Sequence, residues 1–228
     1  MERTDLWKLV LLFAIATLVY EIFPRLLPQD GGTVFDGSVV VFLQGHLSDP
    51  WLDWLFFVIY SAGYPLIVYG TAAYLLWKRE FHECERYIKI FIVVQALGVL
   101  TWWLFPVIPP RMGVGEVRDI RAELGGFTES FNPYPYGAFP SLHVANALVG
   151  VFMLSPYGGR IRKTWVLLFV LLSFSTLYLG EHYWQDVVGG LFYGYAGCVL
   201  VAVAETVVRK RGTRDKARAV LRPWIART

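Results

Sequence analysis

The chain has 228 residues, 56% of them hydrophobic and only 17% charged, with a mean hydropathy of +0.47 and a formal net charge of +3. That balance is too apolar for an ordinary soluble domain and puts a polytopic membrane protein first. The two cysteines, Cys84 beside a basic loop and Cys198 inside an apolar run, provide neither a disulfide framework nor zinc-ligand spacing.

Apolar runs approaching the ~20 residues that cross a bilayer occur six times, over residues 6–23, 51–77, 87–105, 141–154, 165–179 and 184–208. The fourth and fifth are short and borrow flanking residues. The first has charges ahead of an apolar core, as a leader does, but reads as a retained span. Aromatic residues make up 17% of the chain and gather near the run ends, as interfacial belts do. Lys and Arg divide unevenly. The N-terminus (Arg3, Lys8), the second–third loop (Lys78, Arg79, Arg86, Lys89), the fourth–fifth loop (Arg160, Arg162, Lys163) and the tail from Arg209 hold seventeen, against four (Arg25, Arg111, Arg118, Arg121) on the other side. The positive-inside rule then places both termini in the cytoplasm and the loops after the first, third and fifth runs outside.

In the first outward loop, residues 39–43 are apolar but too short to span and predict a helix lying along the interface. The long outward loop, 106–139, is rich in Pro and Gly at both ends. Its middle spaces Glu116, Asp119 and Glu123 among Arg118 and Arg121 at helical intervals. That pattern reads first as a solvated face, with a lid or a second cationic contact as the other reading. The expected fold is therefore all-α: a six-transmembrane-helix bundle with an interfacial helix and a long outward loop. Residues 1–208 form one membrane domain, and 209–228 form a basic cytoplasmic tail that faces anionic lipid rather than nucleic acid.

Chemistry concentrates in two segments, Phe139-Pro140-Ser141-Leu142-His143 and Gly180-Glu181-His182-Tyr183-Trp184-Gln185-Asp186. Titratable groups at the mouths of membrane helices are costly and point to function. Pro140 and Ser141 are helix-start signals, and the first-turn N–H groups that follow form an anion cradle, with His143 placed as a proton donor. His182, in the first turn of the helix that follows, and Asp186, four residues on, share a helix face. The carboxylate then accepts the ring Nδ1–H and leaves Nε2 as a nucleophile. Taken singly, the first segment also reads as a lone interfacial histidine and the second as a structural His–Asp pair. The topology delivers both to the outer face together with Arg111, a bidentate clamp for phosphate oxygens. Elsewhere, Asp53 reads as structural, Gln95 and Asn146 as interhelical hydrogen bonds, and Gly189, Gly190, Gly194 and Gly197 as a helix-packing seam. His46 and His82 fall on opposite sides of the membrane, which disfavours a histidine metal site.

At these residues the chain resembles the type 2 phosphatidic acid phosphatase superfamily of membrane lipid phosphatases and phosphotransferases. The resemblance implies His182 as a nucleophile forming a phosphohistidine, Asp186 as its orienting partner and His143 as general acid. It further implies phosphate binding by Arg111, Ser141 and Leu142, and neither metal nor cofactor. Four positions depart from the family signatures: Leu142 replaces a glycine, Met112 a proline after Arg111, Leu104 a lysine, and Ser175-Thr176 a Ser-Arg pair. Arg118 or Arg121 is the candidate additional cationic contact in place of the missing arginine. The Pro-Ser-Leu-His and His-Tyr-Trp-x-Asp spellings are similar to the branch containing inositol phosphorylceramide synthases.

Three functions follow as expectations. The first is hydrolysis of a lipid phosphate or diphosphate at the outer leaflet of the cell membrane. The second shares the half-reaction but passes the phosphoryl or phospho-headgroup to an alcohol such as inositol. The third, a non-catalytic lipid-binding or transport protein, predicts polar groups along a midplane path rather than at one face.

Overall fold

The computed structural model describes residues 3–22, 31–125 and 134–225. Arg25 and the parts of the two outward loops at 23–30 and 126–133 lie outside the described residues. The chain builds ten α-helices among the described residues: α1 (Arg3–Ile22), α2 (Ser38–Leu47), α3 (Pro50–Val58), α4 (Tyr64–Trp77), α5 (Phe81–Leu104), α6 (Pro110–Gly113), α7 (Ile120–Gly125), α8 (Leu142–Leu154), α9 (Gly159–Tyr178) and α10 (Trp184–Ile225). A π turn, Ile59–Gly63, joins α3 to α4 without a break, so the second apolar run is one continuous rod.

Among the described residues, four rods are long and apolar enough to cross a membrane: Pro50–Trp77, Phe81–Leu104, Gly159–Tyr178 and Trp184–Lys210. The fourth apolar run appears as a shorter helical stretch, Leu142–Tyr157, and the first lies in α1. The protein is thus an all-α polytopic membrane protein. Its lipid-facing character is written on its surface, where Trp7, Trp51, Trp77, Trp103 and Trp184 stand exposed near helix ends. Helix α10 continues past the expected end of the last run at residue 208 as far as Ile225.

The short helix α8 is the hub. It packs against α4, α5, α9 and α10, and most of its residues are buried. Small residues make this possible. A Cβ on Gly190 would lie 2.5 Å from the Ser141 carbonyl oxygen, and one on Gly194 would lie 2.6 Å from that of Ala145. Gly190 and Gly194 of the expected glycine seam therefore line the α8–α10 contact, while Gly197 meets Val94 of α5. Asn146 donates to the Tyr64 hydroxyl at 2.9 Å, joining α8 to α4, as predicted for an interhelical bond.

At one end of the bundle the loops are stitched by backbone. The Thr33 and Ile108 amides exchange bonds with the Pro106 and Thr33 carbonyls, both at 3.0 Å, and Val107 bonds Tyr136 and Ala138 at 2.8 and 3.1 Å. Beneath this stitching, Val107, Ala138 and Tyr183 form a small apolar cluster with Phe35, Val114 and Phe139. The predicted interfacial helix is α2, and it is tied down by polar contacts. Gln44 receives the Arg118 amide at 2.8 Å and donates to the Tyr178 carbonyl at 2.9 Å.

Candidate active site

His182 is positioned by the way α9 ends. Gly180, at φ +71°, occupies the left-handed position that glycine adopts most easily. The Gly180 amide then reaches the Leu177 carbonyl at 3.0 Å, and the Glu181 amide reaches that of Thr176 at 3.1 Å. Together these bonds make the Schellman closure of a helix C-terminus. The His182 amide shares the Thr176 carbonyl at 3.1 Å. His182 therefore stands in the turn between α9 and α10, not in the first turn of α10 as the spacing suggested.

This placement changes the partner of its ring. His182 Nδ1 lies 2.8 Å from the Ala138 carbonyl oxygen, whereas Asp186 Oδ2 lies 3.4 Å away. A carbonyl only accepts, so the proton sits on Nδ1 and Nε2 carries the lone pair. The tautomer is the one anticipated, but a backbone carbonyl is its closest support. Asp186, fully buried, accepts the Tyr183 amide at 2.7 Å and so closes the first turn of α10, the reach-back half of a capping box.

His143 approaches from α8. Ser141 caps that helix, its hydroxyl accepting the Val144 amide at 3.4 Å, and the Ser141 amide is held by the Asp186 carbonyl at 3.0 Å. The N-termini of α8 and α10 thus meet side by side. The amides of Leu142 and His143 precede the first intrahelical bond, Ala145 to Ser141 at 3.0 Å, as the first-turn N–H groups of a helix do. His143 Nδ1 comes within 3.4 Å of His182 Nε2. The His143 ring is clasped by Tyr60 and Tyr64, with ring centroids 4.7 and 4.4 Å away. Tyr60 lies on the π turn, an irregularity that recurs at functional sites.

Cations arrive from the long loop. The Arg111 amide bonds the Gly180 carbonyl at 2.9 Å, fixing α6 against the turn that carries His182. Its guanidinium meets Asp119 at 2.7 Å and Glu181 at 2.9 Å. Arg121 reaches the same Glu181 oxygen at 2.8 Å and is only 4% exposed, so the solvated-face reading of this segment fails for it. Burial works against the charge of both guanidiniums, but the facing carboxylates, Glu181 foremost, outweigh it and hold both above their ordinary pKa. Arg118, 39% exposed, turns away from this group to Asp53, Glu123 and Ser48. Asp53 also accepts the Tyr178 hydroxyl at 2.5 Å, a structural role as expected.

The sequence reading missed Glu181, Tyr60, Tyr64 and the Ala138 carbonyl. Glu181 carried a signal, a carboxylate wedged between glycine and histidine at the mouth of an apolar helix. The tyrosines and the carbonyl come from distant segments and carried none.

A model of the PAP2 superfamily matches residues 25–200. The chain belongs to the PAP2 superfamily. Among curated relatives it is 30% identical over 165 residues to the inositol phosphorylceramide synthase catalytic subunit of Schizosaccharomyces pombe, covering 64% of this chain and 35% of that protein. It is 30% identical over 120 residues to the inositol phosphorylceramide synthase of Candida albicans, covering 44% of this chain and 25% of that protein. An uncharacterized protein of Methanocaldococcus jannaschii is 31% identical over 149 residues, with 61% and 57% covered. The chain thus spans only about a third of the length of the first of these relatives, at 35%. The crystal structure of Aquifex aeolicus LpxE shares the fold, with a TM-score of 0.60 at 17% identity, over 78% of this chain and 99% of that one.

Two departures from the PAP2 signatures now have a physical account. The Leu142 side chain is buried in the bundle over Gly98 of α5, where a Cβ would lie 2.6 Å from Leu142 Cδ2. The larger residue is thus accommodated against Gly98 of α5. Thr176, at the signature arginine's position, is fully buried and turns its hydroxyl back to the Ser173 carbonyl at 2.8 Å.

Proposed function

We propose that this chain is a membrane lipid phosphatase that hydrolyses a lipid phosphate or diphosphate through a phosphorylated His182. The observation that carries this reading is the 3.4 Å approach of His182 Nε2 to His143 Nδ1 at two joined helix N-termini. PAP2 membership supports the same class of chemistry.

In this mechanism the phosphate oxygens sit against the first-turn amides at Leu142 and His143, in the turn that Ser141 caps, and against Arg111. His182 Nε2 attacks phosphorus, the bond to the lipid oxygen breaks, and His143 gives that oxygen its proton. The Ala138 carbonyl and the Asp186 carboxylate support the imidazolium that forms. Water then attacks the phosphohistidine, His143 takes its proton, and phosphate leaves with His182 restored. No metal or cofactor enters these steps.

A second reading is favoured by the two inositol phosphorylceramide synthase relatives. There an alcohol such as inositol or a lipid hydroxyl replaces water in the second step. Both readings place the site on the outer face of the cell membrane, with six spans and both termini cytoplasmic, on the strength of the Lys and Arg distribution. Residues 1–208 are then the catalytic domain and 209–228 a tail against anionic lipid.

The test is incubation of the purified chain with phosphorus-labelled lipid phosphates, with and without inositol, scoring free phosphate against a new phosphate monoester of the alcohol. His182→Ala should abolish both products while the protein stays folded, and wild-type turnover in that variant would overturn the mechanism.

A further inference from the structure

The PAP2 signature arginine is missing at Thr176, and no residue of α9 replaces it at that place. The structure assigns its work to Arg121, carried by α7 on the long loop. This rests on the phosphoryl-transfer reading above, and four observations support it.

First, Arg121 is buried to 4% exposure, a costly position for a guanidinium that a surface loop would otherwise leave in water. Second, it shares one carboxylate oxygen, Glu181 Oε1, with Arg111, at 2.8 and 2.9 Å. The two guanidiniums therefore stand as a pair, and their shared anchor is the residue covalently next to His182. Third, Arg121 lies 5.1 Å over the Tyr60 ring, and that ring packs against His143. Arg121, Tyr60, His143 and His182 thus form one contiguous group. Fourth, the other candidate, Arg118, is committed elsewhere. It is 39% exposed and held by Asp53, Glu123 and Ser48 on the α2–α3 side.

Two guanidiniums bring two planar hydrogen-bonding forks to a tetrahedral oxyanion, which a lysine or a single arginine does not. The ligand is accordingly a phosphoryl group with at least two unesterified oxygens, in the ground state or in the pentacoordinate state that orthovanadate mimics. The signature position, Thr176, lies on α9. Here the second cation comes from a loop, so phosphate binding also depends on how the long loop folds.

The experiment uses the full chain in detergent with orthovanadate and inorganic phosphate as probes. Anion-induced thermal stabilisation and the vanadate inhibition constant are read for the wild type, Arg121→Ala, Arg121→Gln and Arg118→Ala. Losing a charged hydrogen-bonding partner should weaken vanadate binding in both Arg121 variants by about 10- to 100-fold. Arg118→Ala, which also breaks ion pairs, should bind vanadate as the wild type does. Arg121→Gln keeps a side chain that can hydrogen-bond Glu181, so it covers the case in which the alanine variant does not fold. Wild-type vanadate binding in either Arg121 variant, or no binding by the wild type itself, overturns the assignment. A wild type that binds vanadate through Arg121 but turns over no lipid phosphate leaves the assignment standing and removes the enzymatic reading instead.

Discussion

Gly190 controls the distance between the two histidines, and its replacement by alanine tests the geometry of the site. The added Cβ would lie 2.5 Å from the Ser141 carbonyl oxygen and 3.0 Å from Val144 Cβ. Carbon–oxygen contacts settle at about 3.3 Å or more, so α10 must retreat from α8 by roughly 0.8 Å. That retreat pulls on the Ser141–Asp186 backbone bond, 3.0 Å long, and opens the 3.4 Å approach of His182 to His143. A misplacement on the order of 1 Å costs about 10²-fold in rate where reacting groups must be aligned. Stability should move much less, because overpacking costs about 1–3 kcal/mol while alanine recovers about 1 kcal/mol of helix propensity. The assay is phosphate release from a short-chain lipid phosphate in detergent, read beside a thermal melt. Gly45→Ala on α2, where an added Cβ meets nothing within 4 Å, is the control. A Gly190→Ala enzyme with wild-type turnover and an unchanged melt would refute the reasoning.

Two further substitutions probe the site's supports. Asp186→Asn keeps an acceptor for the Tyr183 amide but removes the charge 3.4 Å from His182 Nδ1. Because the Ala138 carbonyl still holds the Nδ1 proton at 2.8 Å, the rate should fall by about 10- to 100-fold. A loss near 10⁴-fold, as when a carboxylate alone sets the tautomer, would show that the carbonyl does not. Gly98→Ala should destabilise the chain by about 1–3 kcal/mol, because the new methyl collides with Leu142. Adding Leu142→Ala should restore much of that loss in a double-mutant cycle, and additive effects would separate the two positions.

Much of the fold was legible in composition and period. Helices answering to the six apolar runs are present, and the interfacial helix, the Ser141 cap and the α8–α10 glycine seam lie where the residues placed them. These features depend on local chemistry: a run of apolar side chains, a hydroxyl ahead of a helix, glycines four apart. His182 and Arg121 were read less well for a common reason. The helical period extrapolated His182 into α10, but the Gly180 closure of α9 stops one helix and delays the next until Trp184. The charge pattern around Arg121 is that of a solvated face, and its burial depends on Glu181, sixty residues on.

By itself, the sequence determined that this chain is a helical membrane protein with two histidines and an arginine at helix ends, since hydropathy and helix-start chemistry are local properties. Only the tertiary structure decided which groups meet. It chose the Ala138 carbonyl as the closest partner of His182, Tyr60 and Tyr64 as the walls around His143, and Arg121 over Arg118 as the partner of Arg111. Each of those choices joins segments far apart in the chain. Their proximity is fixed by close packing about α8 and by backbone bonds between loops, and neither leaves a mark on any one stretch of residues.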